Sequence, residues 1–202
     1  MPRVRHAALI FFLSVALVLS TFSQTLSSGD VNPIDRALLF PYSKTFDLAS
    51  DISQYAAFAS PAVFLFAAPK SDYAETALMY AGSSLLAFGA ASLLKIAVPR
   101  DRPYMYFDFP PAQAATEGNE SFPSRHSAMA FSAVAFNSTL FALRYPDSPY
   151  RVPVTVASYA LALATAALRV GSGNHFLSDV AAGALIGTVS GVVIPLIFAR
   201  DK

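Results

Sequence analysis

A set of residues between positions 95 and 179 combines side chains that can bind an oxyanion with side chains that can move a proton. They are Lys95, Arg102, Ser124, Arg125, His126, Arg169, His175 and Asp179. Lysine and arginine donate charged hydrogen bonds to oxyanions, and histidine exchanges its proton close to neutral pH. Such residues are costly in a mostly apolar chain. Together they predict a site that holds a tetrahedral oxyanion, and we expect this oxyanion to be phosphate, bound at the surface of a membrane.

The composition is that of a membrane protein. Apolar residues make up 54% of the chain and charged residues only 13%, against about 25% charged residues in an ordinary soluble domain. The mean hydropathy is +0.47. A net charge of +1 argues against a nucleic-acid partner, which would require a basic face. Cysteine is absent, which excludes disulfides, thiolate nucleophiles and sulfur-ligated metals.

Apolar runs separated by short polar segments set the expected architecture. They cover residues 7–22, 52–68, 76–94, 128–143, 152–168 and 180–199. Each run approaches the roughly 20 residues that a helix needs to cross a bilayer, and none alternates like a barrel strand. We therefore predict an all-α protein, a bundle of six transmembrane helices. It would form a single domain over residues 1–202, with its motif-bearing core at 95–179.

Two of the runs are less regular than the others. The first follows Arg3 and Arg5 and ends in a polar segment, so residues 1–22 are either a retained first transmembrane helix or a cleaved secretory signal peptide. Gln54 and Pro61 interrupt the second run, although membrane helices tolerate proline where neighbouring helices bind the freed carbonyl group. Either interpretation of residues 1–22 leaves the topology of the remaining chain unchanged.

Basic residues outside the candidate site predict the orientation, because cytoplasmic loops are enriched in lysine and arginine. The amino terminus, the second and fourth loops and the carboxyl terminus contain Arg3, Arg5, Lys70, Arg144, Arg151, Arg200 and Lys202. The opposite loops contain Arg36, Lys44 and Arg100 beside the candidate residues. We therefore expect the site at the extracytoplasmic face, in a bacterial inner membrane with the site facing the periplasm.

This topology places all the candidate residues at one membrane face, although they are distant in sequence. Ser124 and Ser178 precede apolar runs, where serine often caps a helix, and free amide groups at helix N-termini attract phosphate. Gly183, Gly187 and Gly191 recur every four residues, which indicates a seam of close helix packing. The aromatic residues at 104, 106, 107 and 109 are typical of the membrane interface.

The order and spacing of these residues closely resemble the type 2 phosphatidic acid phosphatase superfamily, which includes bacterial acid phosphatases and vanadium haloperoxidases. Its signature reads Lys-x6-Arg-Pro, Pro-Ser-Gly-His and Ser-Arg-x5-His-x3-Asp. Residues 95–103 match the first part in full, and most of 123–126 and 168–179 match the others. Arg125 replaces the usual glycine, and Leu168 replaces the usual serine. Arg125 either clamps a second phosphate or is solvated beside lipid head groups.

The resemblance implies a mechanism without a metal or other cofactor. The groups expected to hold the phosphate oxygens are Lys95, Arg102, Ser124, Arg125 and Arg169. His175 would attack phosphorus to form a phosphohistidine, and Asp179 would accept a hydrogen bond from its other ring nitrogen. His126 would protonate the leaving oxygen and then activate water. These roles satisfy the needs of phosphoryl transfer: charge neutralisation, an in-line nucleophile and a proton for the leaving group.

The expected substrate is a lipid phosphate or diphosphate in the bilayer, and phosphatidic acid, phosphatidylglycerol phosphate, polyprenyl diphosphate and lipid A are all compatible. Two alternatives remain open: a transferase that moves a phosphoryl or head group between lipids, and an inactive lipid-binding membrane protein, for which Arg125 and Leu168 would be the symptoms. The sequence leaves the physiological lipid and the oligomeric state undetermined.

Overall fold

A computed structural model describes residues 31–199. Within this range the chain is helical and contains no β-strand, which confirms the all-α prediction there. We number its α-helices α1 (Pro33–Ala37), α2 (Lys44–Ala59), α3 (Phe64–Ala67), α4 (Tyr73–Ala97), α5 (Ala114–Glu117), α6 (Arg125–Arg144), α7 (Arg151–Gly171) and α8 (Leu177–Phe198). Short 3-10 turns occur at Ser60–Val63, Lys70–Asp72 and Pro103–Tyr106. The first apolar run, 7–22, lies outside the described residues.

Three of the described helices are long and apolar enough to span a membrane. They occupy Lys70–Ala97, Arg151–Gly171 and Leu177–Phe198. Large apolar side chains of these helices point outward: Leu78 is 74% exposed and Ile96 is 78% exposed. Between the helices lie small and polar residues instead, as is usual where lipid tails, and not water, surround a helix bundle. The chain is therefore an integral membrane protein.

Helix α6 is the central element of the bundle, packed by α2, α4, α7 and α8. Its closest neighbour is α8, whose glycines face it. A Cβ atom on Gly183 would lie 2.3 Å from the carbonyl oxygen of Ser124, and one on Gly187 would lie 2.1 Å from that of Ala128. Such distances are below van der Waals contact, so only glycine allows this approach. The predicted glycine packing seam is confirmed, and it brings the start of α6 against the start of α8.

The second apolar run does not form one continuous helix. Helix α2 ends at Ala59, a 3-10 turn follows at Ser60–Val63, and α3 begins at Phe64. Pro61 lies in this turn, where its missing N–H cannot continue the α-helical hydrogen bonds. The Nδ2 atom of Asn137 donates a 2.7 Å hydrogen bond to the Ser60 hydroxyl. Helix α6 thus binds polar groups of the broken segment.

The largest aromatic cluster lies near the C-terminal end of α6. The Phe64 ring is 4.7 Å from that of Phe141 and 6.1 Å from that of Phe136, measured between centroids. Arg144 forms an ion pair with Glu75 close by. The candidate site residues lie at the other ends of these helices: Lys95 near the end of α4 and Arg125 at the start of α6. Apolar packing and the polar site are therefore segregated along the bundle.

Candidate active site

His175 lies in the short loop between α7 and α8. This loop turns at Gly173, which has φ +71° and no room for a Cβ atom, because one would lie 2.5 Å from the Phe40 carbonyl oxygen. The His175 side chain is only 2% exposed. Its Nδ1 atom is 2.7 Å from the backbone carbonyl oxygen of Ser121. Since a carbonyl can only accept, the neutral ring carries its proton on Nδ1 and leaves a lone pair on Nε2.

Burial and nearby positive charge keep this imidazole neutral. Desolvation, followed by the charges of Arg169, Arg102 and Lys95, holds the pKa of His175 well below its usual range. Both effects oppose protonation of the ring. At neutral pH His175 therefore has an uncharged ring with an available nitrogen lone pair, which is the state that a nucleophile requires.

Asp179 is close to His175 but does not make the hydrogen bond expected from the sequence. Its Oδ2 atom is 3.8 Å from Nδ1 of His175, whereas it accepts hydrogen bonds of 2.5 Å from the Ser121 hydroxyl and 2.8 Å from the Phe176 amide. The carbonyl of Ser121 takes the place that we predicted for the carboxylate. Ser121 therefore joins the two residues, with its backbone bound to His175 and its side chain bound to Asp179.

Arg100 balances the charge of the fully buried Asp179 carboxylate. Its guanidinium donates to Asp179 at 2.5 Å and to Asp35 at 2.8 Å, and lies 4.1 Å from the centroid of the Phe176 ring. Our sequence analysis placed Arg100 outside the site and did not consider Asp35. Only their adjacency in the fold shows that two buried carboxylates share one arginine.

The N-terminus of α8 is already occupied by carboxylates. Ser178 is not its cap, contrary to our expectation, because the helix begins at Leu177 and the cap position is Phe176. Asp35 accepts from the Ser178 amide at 3.0 Å and from its hydroxyl at 2.6 Å. Burial raises the pKa of Asp35, but hydrogen bonds from Ser178, Arg100 and Asn32 outweigh it and lower the pKa overall. Two carboxylates, those of Asp35 and Asp179, therefore bind amides that we had assigned to phosphate.

The predicted cap at the start of α6 is confirmed. The Ser124 hydroxyl accepts a hydrogen bond from the Ser127 amide, and the Ser124 amide donates to the backbone carbonyl of Asp179 at 3.0 Å. His126 follows in the first helical turn, with its side chain 30% exposed. Its Nε2 atom is 2.9 Å from Oδ1 of Asp51 on α2. The two histidines thus sit on neighbouring helix starts that are joined through Asp179.

Arg102 and Arg169 converge on Asn174, the residue before His175. Arg102 donates to the side-chain oxygen of Asn174 at 2.9 Å, and Asn174 donates to Asp47 at 2.9 Å. Asp47 also forms a 2.5 Å ion pair with Arg169. Both arginine side chains are at least nine-tenths buried. They are therefore directed into the bundle and do not extend toward the membrane surface.

The other two predicted phosphate-binding cations differ in burial. Lys95 is 7% exposed, and its ammonium group donates to the backbone carbonyl of Glu120. Arg125 is exposed, and its guanidinium carbon lies 5.4 Å from the centroid of the Phe88 ring. Lys95 belongs to the buried cluster, whereas Arg125 lies at the edge of the site.

Comparison with known proteins agrees with this arrangement. The family model of the PAP2 superfamily matches residues 76–202. The chain belongs to the PAP2 superfamily. Among solved structures, it resembles the first transmembrane PAP2 type phosphatidylglycerolphosphate phosphatase from Bacillus subtilis, with 19% identity, a TM-score of 0.62 and 96% of each chain covered. That likeness shows a shared fold. No curated protein sequence matches the chain.

Several side chains that hold the site lie before the region matched by the PAP2 model. Asp35 on α1 binds Arg100, and Asp47 and Asp51 on α2 bind Arg169 and His126. In the PAP2 region itself, Glu117 of α5 pairs with Arg102 at 3.1 Å. Each of these cations or rings thus contacts a carboxylate that our sequence analysis did not identify. Carboxylates scattered among apolar runs give no sequence pattern that would have identified them.

The aromatic segment of this PAP2 chain is divided between site and surface. Tyr104 is fully buried, with its ring centroid 5.9 Å from the Arg102 guanidinium and 6.0 Å from that of Tyr42. Phe109, by contrast, is 91% exposed. The expected interfacial position therefore fits Phe109, whereas Tyr104 supports the buried cations.

Proposed function

We propose that this protein is a metal-independent membrane phosphatase that hydrolyses the phosphomonoester or diphosphate of a lipid phosphate through a phosphohistidine intermediate. The observation that carries the proposal is the state of His175: a buried neutral imidazole, with its Nδ1 proton held by the Ser121 carbonyl, close to several cations. Membership of the PAP2 superfamily and the membrane-phosphatase fold neighbour support phosphatase activity.

In the first step, the lone pair on Nε2 of His175 forms a bond to phosphorus as the bond to the leaving oxygen breaks. Lys95, Arg102 and Arg169, together with the Arg125 amide and Ser124, neutralise the phosphate oxygens. Such charges act most strongly where water is excluded, and Arg102 and Arg169 are buried. His126 gives its proton to the leaving oxygen. Asp179 acts through Ser121 to hold the attacking ring in place.

In the second step, neutral His126 removes a proton from water, and the water oxygen attacks phosphorus. The bond from phosphorus to Nε2 breaks, which releases phosphate and regenerates neutral His175. No group other than these side chains and water is needed to balance the two steps. The proposal therefore assigns no role to a resident metal.

A lipid substrate is supported by where the site lies. The cluster is at one end of a membrane-spanning bundle. Phe109, seven residues after Arg102, is exposed, and exposed aromatic side chains favour the depth of lipid head groups. The six apolar runs support six spans, and the distribution of basic residues supports a site facing the periplasm. The neighbouring structure is named as a phosphatidylglycerolphosphate phosphatase, which makes that lipid a first candidate alongside phosphatidic acid, polyprenyl diphosphate and lipid A.

The test is phosphate release by the purified full-length protein in detergent from a panel of these lipids, with a chelator present throughout. We expect turnover with chelator and inhibition by vanadate, which imitates five-coordinate phosphorus. Strict dependence on added magnesium would overturn the metal-independent proposal. Formation of a phosphorylated alcohol from an added acceptor, without release of phosphate, would favour the transferase alternative.

A further inference from the structure

Asp51 contacts the histidine that we propose as the proton donor. Its Oδ1 atom is 2.9 Å from Nε2 of His126, across 75 positions of sequence. A carboxylate can only accept a hydrogen bond when it is ionised, so this contact places a proton on Nε2. The other ring nitrogen, Nδ1, then remains for exchange with a substrate or water.

Asp51 is one of two acids on the same face of α2. Asp47 lies one turn earlier, and side chains four residues apart on a helix share a face. Asp47 is enclosed: it binds Arg169, Asn174 and Tyr42, and its side chain is 21% exposed. Asp51 is 41% exposed and meets a ring that is 30% exposed. Asp47 therefore binds buried groups of the site, whereas Asp51 and the His126 ring form a more exposed pair.

The negative charge of Asp51 affects protonation of the His126 ring. Burial, followed by the positive charges of Arg169 and Arg102, opposes a positive charge on the ring and lowers the pKa of His126 to about 3, yet a general acid must hold a transferable proton. An anion in contact with the ring acts against both effects, because it favours the charged form. Asp51 is the carboxylate at hydrogen-bond distance from this ring among the described residues.

We propose that Asp51 is a positioning residue that binds Nε2–H of His126 and stabilises its imidazolium form, so that proton transfer takes place at Nδ1. This inference rests on the proposed phosphatase function. In the first step, the Nδ1 proton moves to the leaving oxygen and the ring becomes neutral. In the second, Nδ1 takes a proton from the attacking water, while Nε2–H stays bound to Asp51 throughout.

The test compares two substrates that differ in their need for an acid: phosphatidic acid, whose leaving alkoxide must be protonated, and p-nitrophenyl phosphate, whose phenolate leaves unaided. For Asp51→Asn in the full-length protein, kcat/KM on phosphatidic acid should fall by at least about tenfold, because general acid catalysis contributes 10²–10⁴-fold. We compare kcat/KM because it reports formation of the intermediate, whereas kcat also includes the hydrolysis step that both substrates share. The loss in kcat/KM on p-nitrophenyl phosphate should be smaller, and an equal loss on both substrates would overturn the proposal.

A double mutant separates positioning from a structural effect. In a His126→Ala background, Asp51→Asn should change kcat by less than about twofold, because coupled residues are non-additive. A full further loss would show that Asp51 acts elsewhere. Asp51→Glu keeps the negative charge and should therefore retain more activity than Asp51→Asn. If the asparagine variant fails to fold, the glutamate variant is compared with the unaltered protein instead. Equal impairment of the two variants would contradict a role for the Asp51 charge.

The matched control is Asp108→Asn, which removes one negative charge from an exposed position between α4 and α5 and should leave both rates unchanged. Failure of the proposed function would give a different result: the unaltered protein would release no phosphate from either substrate, or His175→Ala would retain its turnover. The assay therefore distinguishes failure of the proposed function from failure of the Asp51 proposal.

Discussion

The surroundings of the two site histidines differ in burial and in hydrogen-bond partner. His175 is 2% exposed and bonded to a neutral backbone carbonyl, whereas His126 is 30% exposed and bonded to a carboxylate. A carbonyl fixes a neutral tautomer without adding charge, and a carboxylate stabilises the charged ring. Under the proposed function, the same side chain would serve as a nucleophile in one place and as an acid in the other. The contrast teaches that environment, not residue type, would assign the two roles.

The largest expected effect is that of His175→Ala, which removes one of the two histidines. We expect phosphate release from lipid substrates to fall to background, because no other buried neutral imidazole lies in the described site and the covalent intermediate cannot form. The measurement is phosphate release together with acid-quenched labelling by a 32P-labelled substrate. Labelled protein that persists in this variant would contradict the assignment of the nucleophile.

His126→Ala should be less damaging and selective. With phosphatidic acid, we expect a loss of about 10²–10⁴-fold, the usual contribution of general acid–base catalysis. With p-nitrophenyl phosphate, the formation of the intermediate should be much less affected, and this can be followed by the burst of nitrophenolate. An equal reduction of the burst and of lipid turnover would show that the ring is not the acid.

Ser121→Ala tests how His175 is held. The variant removes the hydroxyl donor to Asp179 but keeps the carbonyl that binds Nδ1. A buried charged group that loses one partner costs about 1–3 kcal/mol, so we expect reduced thermal stability and roughly a tenfold lower kcat. Ser138→Ala, which removes only a 2.7 Å bond to the Val134 carbonyl within α6, is the matched control. Equal effects of both variants would remove Ser121 from the positioning network.

The smallest expected effect concerns pH. Because the pKa of His175 is lowered by burial and by Arg169, its lone pair remains available below pH 6.5, the ordinary value for histidine. In a His126→Ala background, which removes the other histidine of the site, kcat/KM for p-nitrophenyl phosphate should not decline as pH falls through 6.5. A decline centred there that fits one proton would mean that His175 titrates normally and is not buried in a cationic site.

The sequence predicted the positions of the helices better than it predicted where they end and which residues cap them. The apolar runs at 76–94, 128–143 and 152–168 each fall within a single helix, and the run at 180–199 extends one residue past α8, because side-chain hydropathy reports directly on lipid contact. The sequence showed that Pro61 interrupts the second run, but it did not predict that α2 would end there. Ser124 caps its helix as expected and Ser178 does not, since a serine before an apolar run fits both positions equally well.

The candidate site shows the same division. Lys95, Arg102, His126, Arg169, His175 and Asp179 were identified in the sequence because they occur in ordered motifs with fixed spacing. Their partners were not. Asp35 binds Ser178 from 143 positions away, and Asp47 binds Arg169 from 122 positions away. No periodicity relates such pairs, and only helix packing decides them.

By itself, the sequence determined that this is a helical membrane protein and that its candidate phosphate-binding residues occur in the signature of one superfamily, because composition and motif spacing are local properties. The tertiary structure decided which atom binds which: the Ser121 carbonyl at His175, Arg100 between two buried acids, and Asp51 at His126. The physical reason is that a buried polar group must find a partner wherever the fold brings one near. The glycine seam between α6 and α8 sets that proximity.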